Sequence, residues 1–456
     1  MPNEKNIKLI GFLQNSKEGW KPEDYTVSGA MGCFAEESSS DIHKRHSINQ
    51  EPYVIGKGEK RKELDWNETK ELILKETSGR GHGAVLDQEE FSFSIDNLTR
   101  ASTLFLCGPE YGEHLQQSLR RADAERGFFE IKTNGANELM KKQFELYEKM
   151  QDSGIPSEDA RFILPLNTKT TIQSKWNARE LMHLYSMAQR FPISEEIKDT
   201  VNQMYKQASD IAQGLMKDRK KNLEVLAWRP SPQLFATSNS AIERMIGDEN
   251  IKILNASGKG LMTPEEIDEA IINRDETLLA NMKHYHFEFL VGMSLATFHQ
   301  ATRQRTWNQS VQALPDAVKK REYIIPPSIK ETEFENNYKR ITEQSIDFVN
   351  QNLSDKEALG VLPHSLKVYD LIHIDGWNAI HSIGKRRCNE AQWEIRNFSN
   401  AMADKIKEYD YSLGKWAVPQ GVTYGDCPEK KSCGICYQEP YNELRKEVKN
   451  KREISR

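Results

Sequence analysis

The second half of this chain repeats the order of its first half at a constant spacing. The hexapeptide ARFILP begins at Ala160, and ALGVLP begins 198 residues later at Ala358. At the same spacing His183 falls opposite His381 without a gap. A period this long is typical of a duplicated domain, because the repeats of solenoid proteins are only ~20–50 residues long. The chain is therefore expected to fold as two similar domains.

Periodic segments also recur in the same order in the two halves. Strands and helices do not alternate strictly, and no glycine-rich turn joins a strand to a helix. This disfavours a doubly wound dinucleotide fold and favours an α+β class, in which each domain is a mostly antiparallel sheet packed with helices. The alternation of apolar residues predicts strands at 7–14, 91–98, 222–230 and 286–294, and helices at 137–151, 176–189, 197–216 and 334–353.

The domain limits follow from the repeat. We predict a first domain at 1–217, a second at 218–425, and a cysteine-bearing charged tail at 426–456. The tail pattern C-x5-C-x2-C contains Cys427, Cys433 and Cys436. Three thiolates need a fourth ligand to close a structural zinc site, so zinc is one interpretation and a solvent-facing or redox-labile tail is the other.

The overall charge excludes some classes of partner. The net charge is -5, with 63 basic and 68 acidic residues interspersed, whereas a nucleic-acid coat needs a basic excess. No apolar run approaches the ~18 residues that span a bilayer, so no membrane association is expected. The start of the chain lacks a signal-peptide core, and six cysteines are too few for a disulfide framework at this length. A cytoplasmic location is expected.

A local basic motif is the first candidate for binding. The segment 296–311 places Gln300, Arg303, Gln304 and Arg305 within six residues. Two arginines at i and i+2 in a turning segment can address one anion from two sides, because the guanidinium fork matches phosphate and carboxylate oxygens. The alternative is a solvated basic turn, since short basic motifs often occur without a ligand.

Several motifs together resemble the flavin-dependent thymidylate synthases. They are AQWEIR at 391–396, RQR at 303–305 following Gln300, and the pattern FxFxIxxxxRA at 91–101. The resemblance implies reductive methylation of dUMP to dTMP, with FAD as cofactor, methylenetetrahydrofolate as carbon donor and NADPH as reductant. The family forms homotetramers whose sites combine several chains, so a duplicated chain is expected to form a homodimer.

The two repeats lack different parts of the family hallmark, which is Arg-His-Arg followed after seven residues by Ser-x-Arg. The second repeat keeps both arginines, but Gln304 replaces the histidine and Ala313 replaces the serine. The first repeat has lost the triplet but keeps Ser118 and Arg120 at the matching spacing. A titrating role at the histidine position is therefore in doubt, because glutamine cannot titrate.

The same division continues downstream. The first repeat keeps Arg161 and the Asn-x-Arg-x3-His pattern, whereas the second repeat has Leu359, Asp375 and Trp377 at the matching positions. Conversely, the second repeat keeps Arg396, whereas the first repeat has Lys198. We interpret this as complementary loss, with one hybrid site drawing on both repeats, although random decay would also scatter losses. Leu359 and Trp377 are expected in filled pockets.

The resemblance implies a role for each retained residue. The expected catalytic residues are Ser118, Arg120 and Arg396, although Ser118 has the alternative of an ordinary helix-end serine. The expected dUMP-binding residues are those three together with Gln117, Arg161, Gln300 and Gln392. The expected flavin-binding residues are Asn177, Arg179, His183, Arg303, Gln304 and Arg305. The alternative function is a redirected or non-catalytic relative that binds flavin or nucleotide, because fold and motif do not fix activity.

Overall fold

The computed structural model describes residues 4–217 and 230–454, and it divides the chain into two compact units. The first unit comprises Met1–Lys141, Pro165–Ser231 and Ser354–Val361. The second comprises Lys142–Leu164, Pro232–Leu353 and Leu362–Arg456. Within the described residues, no helix is both long enough and apolar enough to cross a membrane.

Each unit contains a four-stranded antiparallel sheet, and the two sheets share one topology. In the first unit the strand order is β1-β4-β6-β5, and in the second it is β7-β8-β10-β9. The strands are β1 (Asn6–Phe12), β4 (Glu90–Thr99), β5 (Glu113–Gln116), β6 (Lys169–Asn177), β7 (Ile251–Ser257), β8 (His286–Ser294), β9 (Asn308–Val311) and β10 (Lys367–Asp375). A separate hairpin joins β2 (Tyr53–Ile55) to β3 (Lys62–Leu64).

Helices surround the sheets. Those that begin before residue 217 are α1 (Pro22–Gly32), α2 (Ser39–Ile42), α3 (Trp66–Glu76), α4 (Arg100–Leu106), α5 (Ala136–Asp152), α6 (Ser157–Ala160), α7 (Ala178–Arg190), α8 (Glu195–Ile211) and α9 (Gln213–Met216). Those after residue 232 are α10 (Ser240–Met245), α11 (Pro264–Asn273), α12 (Glu276–Asn281), α13 (Leu295–Ala301), α14 (Leu314–Lys320), α15 (Glu335–Gln351), α16 (Gly376–Arg386), α17 (Trp393–Tyr409), α18 (Tyr411–Gly414), α19 (Gln420–Tyr424) and α20 (Tyr441–Ile454).

The predicted α+β class is confirmed, and so is the recurrence of elements. The strands expected at 7–14, 91–98 and 286–294 correspond to β1, β4 and β8, and the helices at 137–151 and 334–353 correspond to α5 and α15. The prediction at 176–189 begins too early, because Asn177 ends β6 and its side chain caps α7 by accepting from the Glu180 amide at 2.8 Å. The segment expected at 197–216 is divided into α8 and α9.

The first strand of the second sheet lies in a segment where no strand was predicted. The strand that pairs with β8 in the position of β1 is β7, 251–257, whereas the prediction placed it at 222–230. Residues 222–229 lie outside the described residues. Strands β6 and β10, which occupy inner positions of the two sheets, were not predicted.

The compact units exchange short segments relative to the sequence repeats. Residues 142–164 of the first repeat belong to the second unit, where Gln143 on α5 donates to the Ser345 hydroxyl on α15 at 3.2 Å. Residues 354–361 of the second repeat belong to the first unit, where the Gly360 carbonyl accepts from the Asn167 amide at 2.8 Å. The compact units and the repeats are therefore different divisions of the chain, and the limits at 217 and 425 stay a prediction.

The buried carboxyl of Glu89 is expected to make the stability of the protein depend on pH. One oxygen accepts from the Leu13 amide at 3.0 Å, and burial raises the pKa of Glu89 from 4.5 to about 8. Between these values the folded protein keeps a proton that the unfolded chain has released, so stability falls as pH rises, by up to about 1.4 kcal/mol per pH unit. Urea unfolding at about pH 6 and pH 8 is expected to show this loss. Glu89→Gln should remove most of it, and Glu130→Gln, at an exposed site, should not.

Candidate active site

A buried glutamate fixes the helix that leads to the RQR motif in the second unit. The carboxylate of Glu394, at the start of α17, accepts from the Ser294 amide at 2.7 Å, the Ser294 hydroxyl at 2.6 Å and the Thr297 hydroxyl at 2.7 Å. Ser294 itself caps α13. The first unit repeats this arrangement, since Glu196 accepts from the hydroxyl of the α4 cap, Thr99, at 2.9 Å. Glu394 therefore has a structural role that the repeat preserves.

The RQR motif forms a tight turn directly after α13. The Gln304 amide donates to the Ala301 carbonyl at 2.9 Å, and the Trp307 amide donates to the Gln304 carbonyl at 2.9 Å. Trp307 is buried, and its indole donates to the Ser382 hydroxyl on α16 at 2.6 Å. The turn is thereby anchored to α16, while the Arg303 side chain is exposed.

The residue at the family histidine position is held by an arginine that the sequence analysis gave no role. With its amide oxygen facing α16, Gln304 accepts from Arg386 Nε at 3.0 Å. Half-buried Gln300, one turn earlier, has its Nε2 3.5 Å from the Ala296 carbonyl. Gln304 is thus oriented by a permanent cation, and Arg305 is half-buried on the same turn.

Gln392 and Arg396 both stabilise the start of α17. Buried Gln392 is the helix cap, and its side-chain oxygen accepts from the amides of Glu394 at 3.0 Å and Ile395 at 3.2 Å. Its amide nitrogen has no hydrogen-bond partner among the described residues. Arg396 Nη1 donates to the carbonyls of Asn389 at 2.9 Å and Ala391 at 3.1 Å. The half-buried Arg396 is therefore positioned by the loop that precedes its own helix.

Arg161, from the first repeat, lies in the second unit near these residues. It is buried, and its Nε donates to the Glu158 carbonyl at 3.1 Å. Two residues earlier, Asp159 accepts from the Trp393 indole at 2.7 Å, which holds the segment against the start of α17. Burial raises the pKa of Glu394, and its hydrogen bonds together with the nearby Arg161 guanidinium hold that rise back. The second unit thus contains Arg161, Gln392 and Arg396, and Arg161 is close enough to Glu394 to influence its carboxylate electrostatically.

The Ser-x-Arg half of the hallmark lies in the first unit. Strand β5 ends at Gln116, and the amide of the next residue, Gln117, donates to the Thr171 carbonyl at 3.1 Å. Buried Arg100 donates from Nη2 to the Gln117 carbonyl at 2.8 Å. Ser118 is exposed at the start of a turn, and its hydroxyl oxygen accepts from the Arg120 amide at 3.3 Å. Arg100 is a positioning residue for this turn, and its place in the FxFxIxxxxRA pattern was the signal for it.

Helix α7 carries the first-unit residues expected to bind flavin. Asn177 caps the helix, and Arg179 Nη1 lies 3.1 Å from Asp87 Oδ2 in a partly exposed ion pair. One turn further, the His183 Nδ1 is 3.6 Å from the carboxylate of Glu180, which is almost completely buried. Neither ring nitrogen of His183 has a hydrogen-bond partner among the described residues. Asp87 and Glu180 were not predicted from the sequence.

Leu359 and Trp377, which stand opposite Arg161 and Arg179 in the repeat, differ in burial. Leu359 is buried, as expected. The expectation of a filled pocket is wrong for Trp377, which is half-buried, stacks on His381 at 5.2 Å between ring centroids, and lines a cavity of about 420 Å³. Gln420, Thr423, Tyr424 and Arg452 form part of the wall of this cavity.

The tail cysteines lie in the second unit and form no disulfide in the described structure. Cys436 is buried, and Cys427 and Cys433 are half-buried. Among residues 4–217 and 230–454, no three histidine, cysteine or acidic side chains are already gathered closely enough to hold a metal ion. The zinc interpretation therefore stays a prediction.

The thymidylate synthase complementing protein family (Thy1) matches this chain in two segments. The matched residues are 22–212 and 249–410, which together make up well over half of the chain and correspond to the two repeats. The chain belongs to this family. The match leaves out the segment that follows residue 410, including the tail cysteines.

Individual relatives align with less of the chain. A flavin-dependent thymidylate synthase of Geobacter sulfurreducens is 30% identical over 149 residues, covering 30% of this chain and 64% of the relative. Another, of Pyrococcus furiosus, is 27% identical over 164 residues, covering 33% of this chain and 67% of the relative. The solved structure of a UMP/dUMP methylase, PolB from Streptomyces cacaoi with 5-Br dUMP, matches at 18% identity and a TM-score of 0.35 over 47% of this chain and 94% of that one, a likeness too small to carry an argument.

Family membership implies a flavin, and the side chains present fit one. A flavin dinucleotide carries a diphosphate, for which guanidinium groups such as those of Arg179 and Arg303 are suitable donors. The unpartnered ring nitrogens of His183 are buried polar atoms that a ligand would satisfy, since burial without a hydrogen bond is costly. Asn177 has used its side-chain oxygen as the α7 cap, so only its amide nitrogen remains to donate.

Proposed function

We propose that this protein is a flavin-dependent thymidylate synthase in which both repeats serve one reaction. It would convert dUMP to dTMP, with methylenetetrahydrofolate as carbon donor and NADPH as reductant. The uracil C5 loses its proton and gains the methylene carbon, and two electrons from NADPH complete the methyl group. When bound, FAD would carry those electrons. Tetrahydrofolate and NADP⁺ are the other products.

The observation that supports complementary repeats is the position of Arg161. This first-repeat arginine is buried in the second unit, within electrostatic reach of the Glu394 carboxylate of the second repeat, and its neighbour Phe162 stacks on Trp393. The second repeat has Leu359 at the equivalent position. A cation retained in one copy and placed among the other copy's signature residues is what complementary loss predicts.

Binding of dUMP needs cationic side chains for its phosphate and hydrogen-bond donors for its uracil ring. A nucleotide monophosphate carries about two negative charges, which guanidinium groups bind through paired hydrogen bonds. We assign this binding to Arg120, Arg161 and Arg396. A uracil ring that accumulates negative charge also needs donors aimed at its oxygens, and Arg120 or Arg396 would supply them. Gln117, Ser118, Gln300 and Gln392 complete the proposed substrate set.

The flavin side of the reaction is assigned to a second group of residues. Arg303 and Arg305 carry fixed positive charges on the turn after α13, and Arg179 does so on α7. Gln304 would orient the flavin without moving a proton, because its amide does not titrate and is held by Arg386. His183 and Asn177 would donate hydrogen bonds to the bound ring system.

The direct test is release of tritium from C5-labelled dUMP. With methylenetetrahydrofolate and NADPH, the purified protein should release tritium in proportion to the dTMP formed. A yellow protein that binds dUMP without releasing tritium would favour the alternative, a redirected or non-catalytic flavin- or nucleotide-binding relative. Exchange of other labelled pyrimidine nucleotides would identify a redirected enzyme.

The duplication also predicts a stoichiometry. Because one chain replaces two subunits of the family's tetramer, we expect a homodimer that binds one FAD per chain. Light scattering combined with a flavin titration measures both quantities. A tetramer of full chains, or two FAD per chain, would contradict this assignment.

A further inference from the structure

Four cysteines of the second unit lie near one another, although they are distant in sequence. Cys388, in the loop between α16 and α17, has its Sγ 3.9 Å from the Sγ of tail residue Cys433. Cys436 is three residues further along the tail, and Cys427 lies six residues before Cys433. The C-x5-C-x2-C pattern supplies only three thiols, and a closed tetrahedral site needs four ligands. Cys388 supplies the fourth thiol.

The packing around Gly421 keeps two of these cysteines close. A β-carbon at position 421 would lie 2.8 Å from Cys436 Sγ and 3.1 Å from Cys427 Cα. Gly421 thus leaves room for the tail to fold back over α19. Cys436 also packs with Val418 and Val422 in a small apolar cluster. The absence of a side chain at 421 lets both cysteines approach the same point.

The four thiols influence one another electrostatically. Burial raises the pKa of Cys388 to about 11, and Cys433 and Cys436 add to the rise. Burial likewise raises the pKa of Cys436 to about 11, with contributions from Cys427 and Cys433. A divalent cation would stabilise the thiolates that it binds.

The same loop positions a residue of the proposed dUMP site. Arg396 Nη1 donates to the carbonyls of Asn389 and Ala391, which lie one and three residues after Cys388. Arg387, directly before it, donates to the Tyr441 hydroxyl at 3.2 Å and to the Ala417 carbonyl. The loop is therefore hydrogen-bonded to Ala417 and Tyr441 through Arg387, and to Arg396 through its carbonyls.

We propose that Cys388, Cys427, Cys433 and Cys436 bind one structural zinc ion, which fixes the loop that positions Arg396. The Cys388–Cys433 separation already equals the edge of a tetrahedral zinc–thiolate site, roughly 3.8 Å for a zinc–sulfur distance of about 2.3 Å. The other thiols are not yet gathered at that distance, so zinc binding draws them together, releasing the protons that the thiols carry. The effect on dUMP rests on the proposed function, but the metal site does not.

Elemental analysis of the full-length protein, expressed with zinc and purified without chelator, tests the site directly. We expect about one zinc per chain in the wild type. When Co²⁺ replaces the bound zinc, the protein should show the absorption spectrum that is typical of tetrahedral cobalt with four thiolate ligands. Zinc-free wild type, or a Cys388–Cys433 disulfide found by mass spectrometry of the freshly purified protein, would overturn the proposal.

Single substitutions identify the ligands. Cys388→Ser and Cys433→Ser should each lower the zinc content several-fold, while Cys33→Ser, at an exposed thiol outside the cluster, should leave it unchanged. Zinc retained at the wild-type level in Cys388→Ser would contradict the assignment of that ligand. Zinc content is measured without substrate, so its result is independent of dUMP methylation.

The proposed effect of zinc on the position of Arg396 is tested by measuring dUMP binding. Removing zinc from folded wild-type protein with a chelator should weaken dUMP binding about tenfold and leave flavin bound, and restoring zinc should reverse the loss. Unchanged dUMP affinity in zinc-free protein would refute the link to Arg396. In that case the zinc measurement would still decide the site itself.

Discussion

Arg120→Ala and Arg396→Ala should each weaken dUMP binding about 30-fold or more while FAD stays bound. A guanidinium that faces a phosphate or a uracil oxygen in a partly desolvated site contributes about 2 kcal/mol or more when one partner is removed. Isothermal titration with dUMP measures the change, and the flavin absorption spectrum reports whether the cofactor remains.

Lys198 is the matched control for Arg396, because it occupies the equivalent position in the other repeat. Lys198→Ala should change the affinity for dUMP and flavin by less than about twofold, as expected of a surface charge. An effect of Lys198→Ala as large as that of Arg396→Ala would mean that both copies of the site are used. A silent Arg396→Ala would mean that AQWEIR has a purely structural role.

Arg179→Ala and Arg303→Ala should instead yield protein that is largely free of flavin after purification. Each change removes a fixed positive charge proposed to face the cofactor, and the loss of one charged hydrogen-bonding partner weakens binding about tenfold or more. Flavin content per chain, from the absorption ratio of the purified protein, measures the effect.

Arg190→Ala on the same helix as Arg179 provides the comparison. Arg190 bonds to the Ser186 hydroxyl at the other end of α7, so its removal should leave the flavin content unchanged. A normal flavin content in Arg179→Ala would place the cofactor away from α7. Loss of flavin in all three variants would indicate general destabilisation of the fold.

The duplicated α+β architecture could be predicted because its signals are local. Strands β4 and β8 alternate strictly, and α5 and α15 have apolar stripes at helical spacing, so pattern alone located them. Strand β7 was harder to place, because the more apolar segment at 222–230 precedes it and resembles β1 more closely.

The tertiary exchange of segments could not be predicted from local pattern. Arg161 was recognised as a family residue, but nothing in ARFILP indicates that this segment packs in the second unit. The interaction between Arg386 and Gln304 also depends on how α16 packs against the turn after α13. Similarly, Cys388 and Cys433 are 45 positions apart, and only folding brings their sulfurs to 3.9 Å.

Two residues of the AQWEIR motif hold helix ends. Gln392 and Glu394 stand out in AQWEIR, yet the structure uses the oxygens of both to hold helix ends. A sequence pattern records both kinds of constraint together, because a helix cap and a ligand contact can require the same residue type.

The number of dUMP molecules bound per chain tests the central claim most directly. If Arg120 and Arg396 serve the same nucleotide, titration of the wild type should give one dUMP per chain, and either alanine variant should weaken that single site. Two dUMP per chain in the wild type, with each variant losing only one of them, would show that each repeat holds its own nucleotide and would contradict complementary repeats.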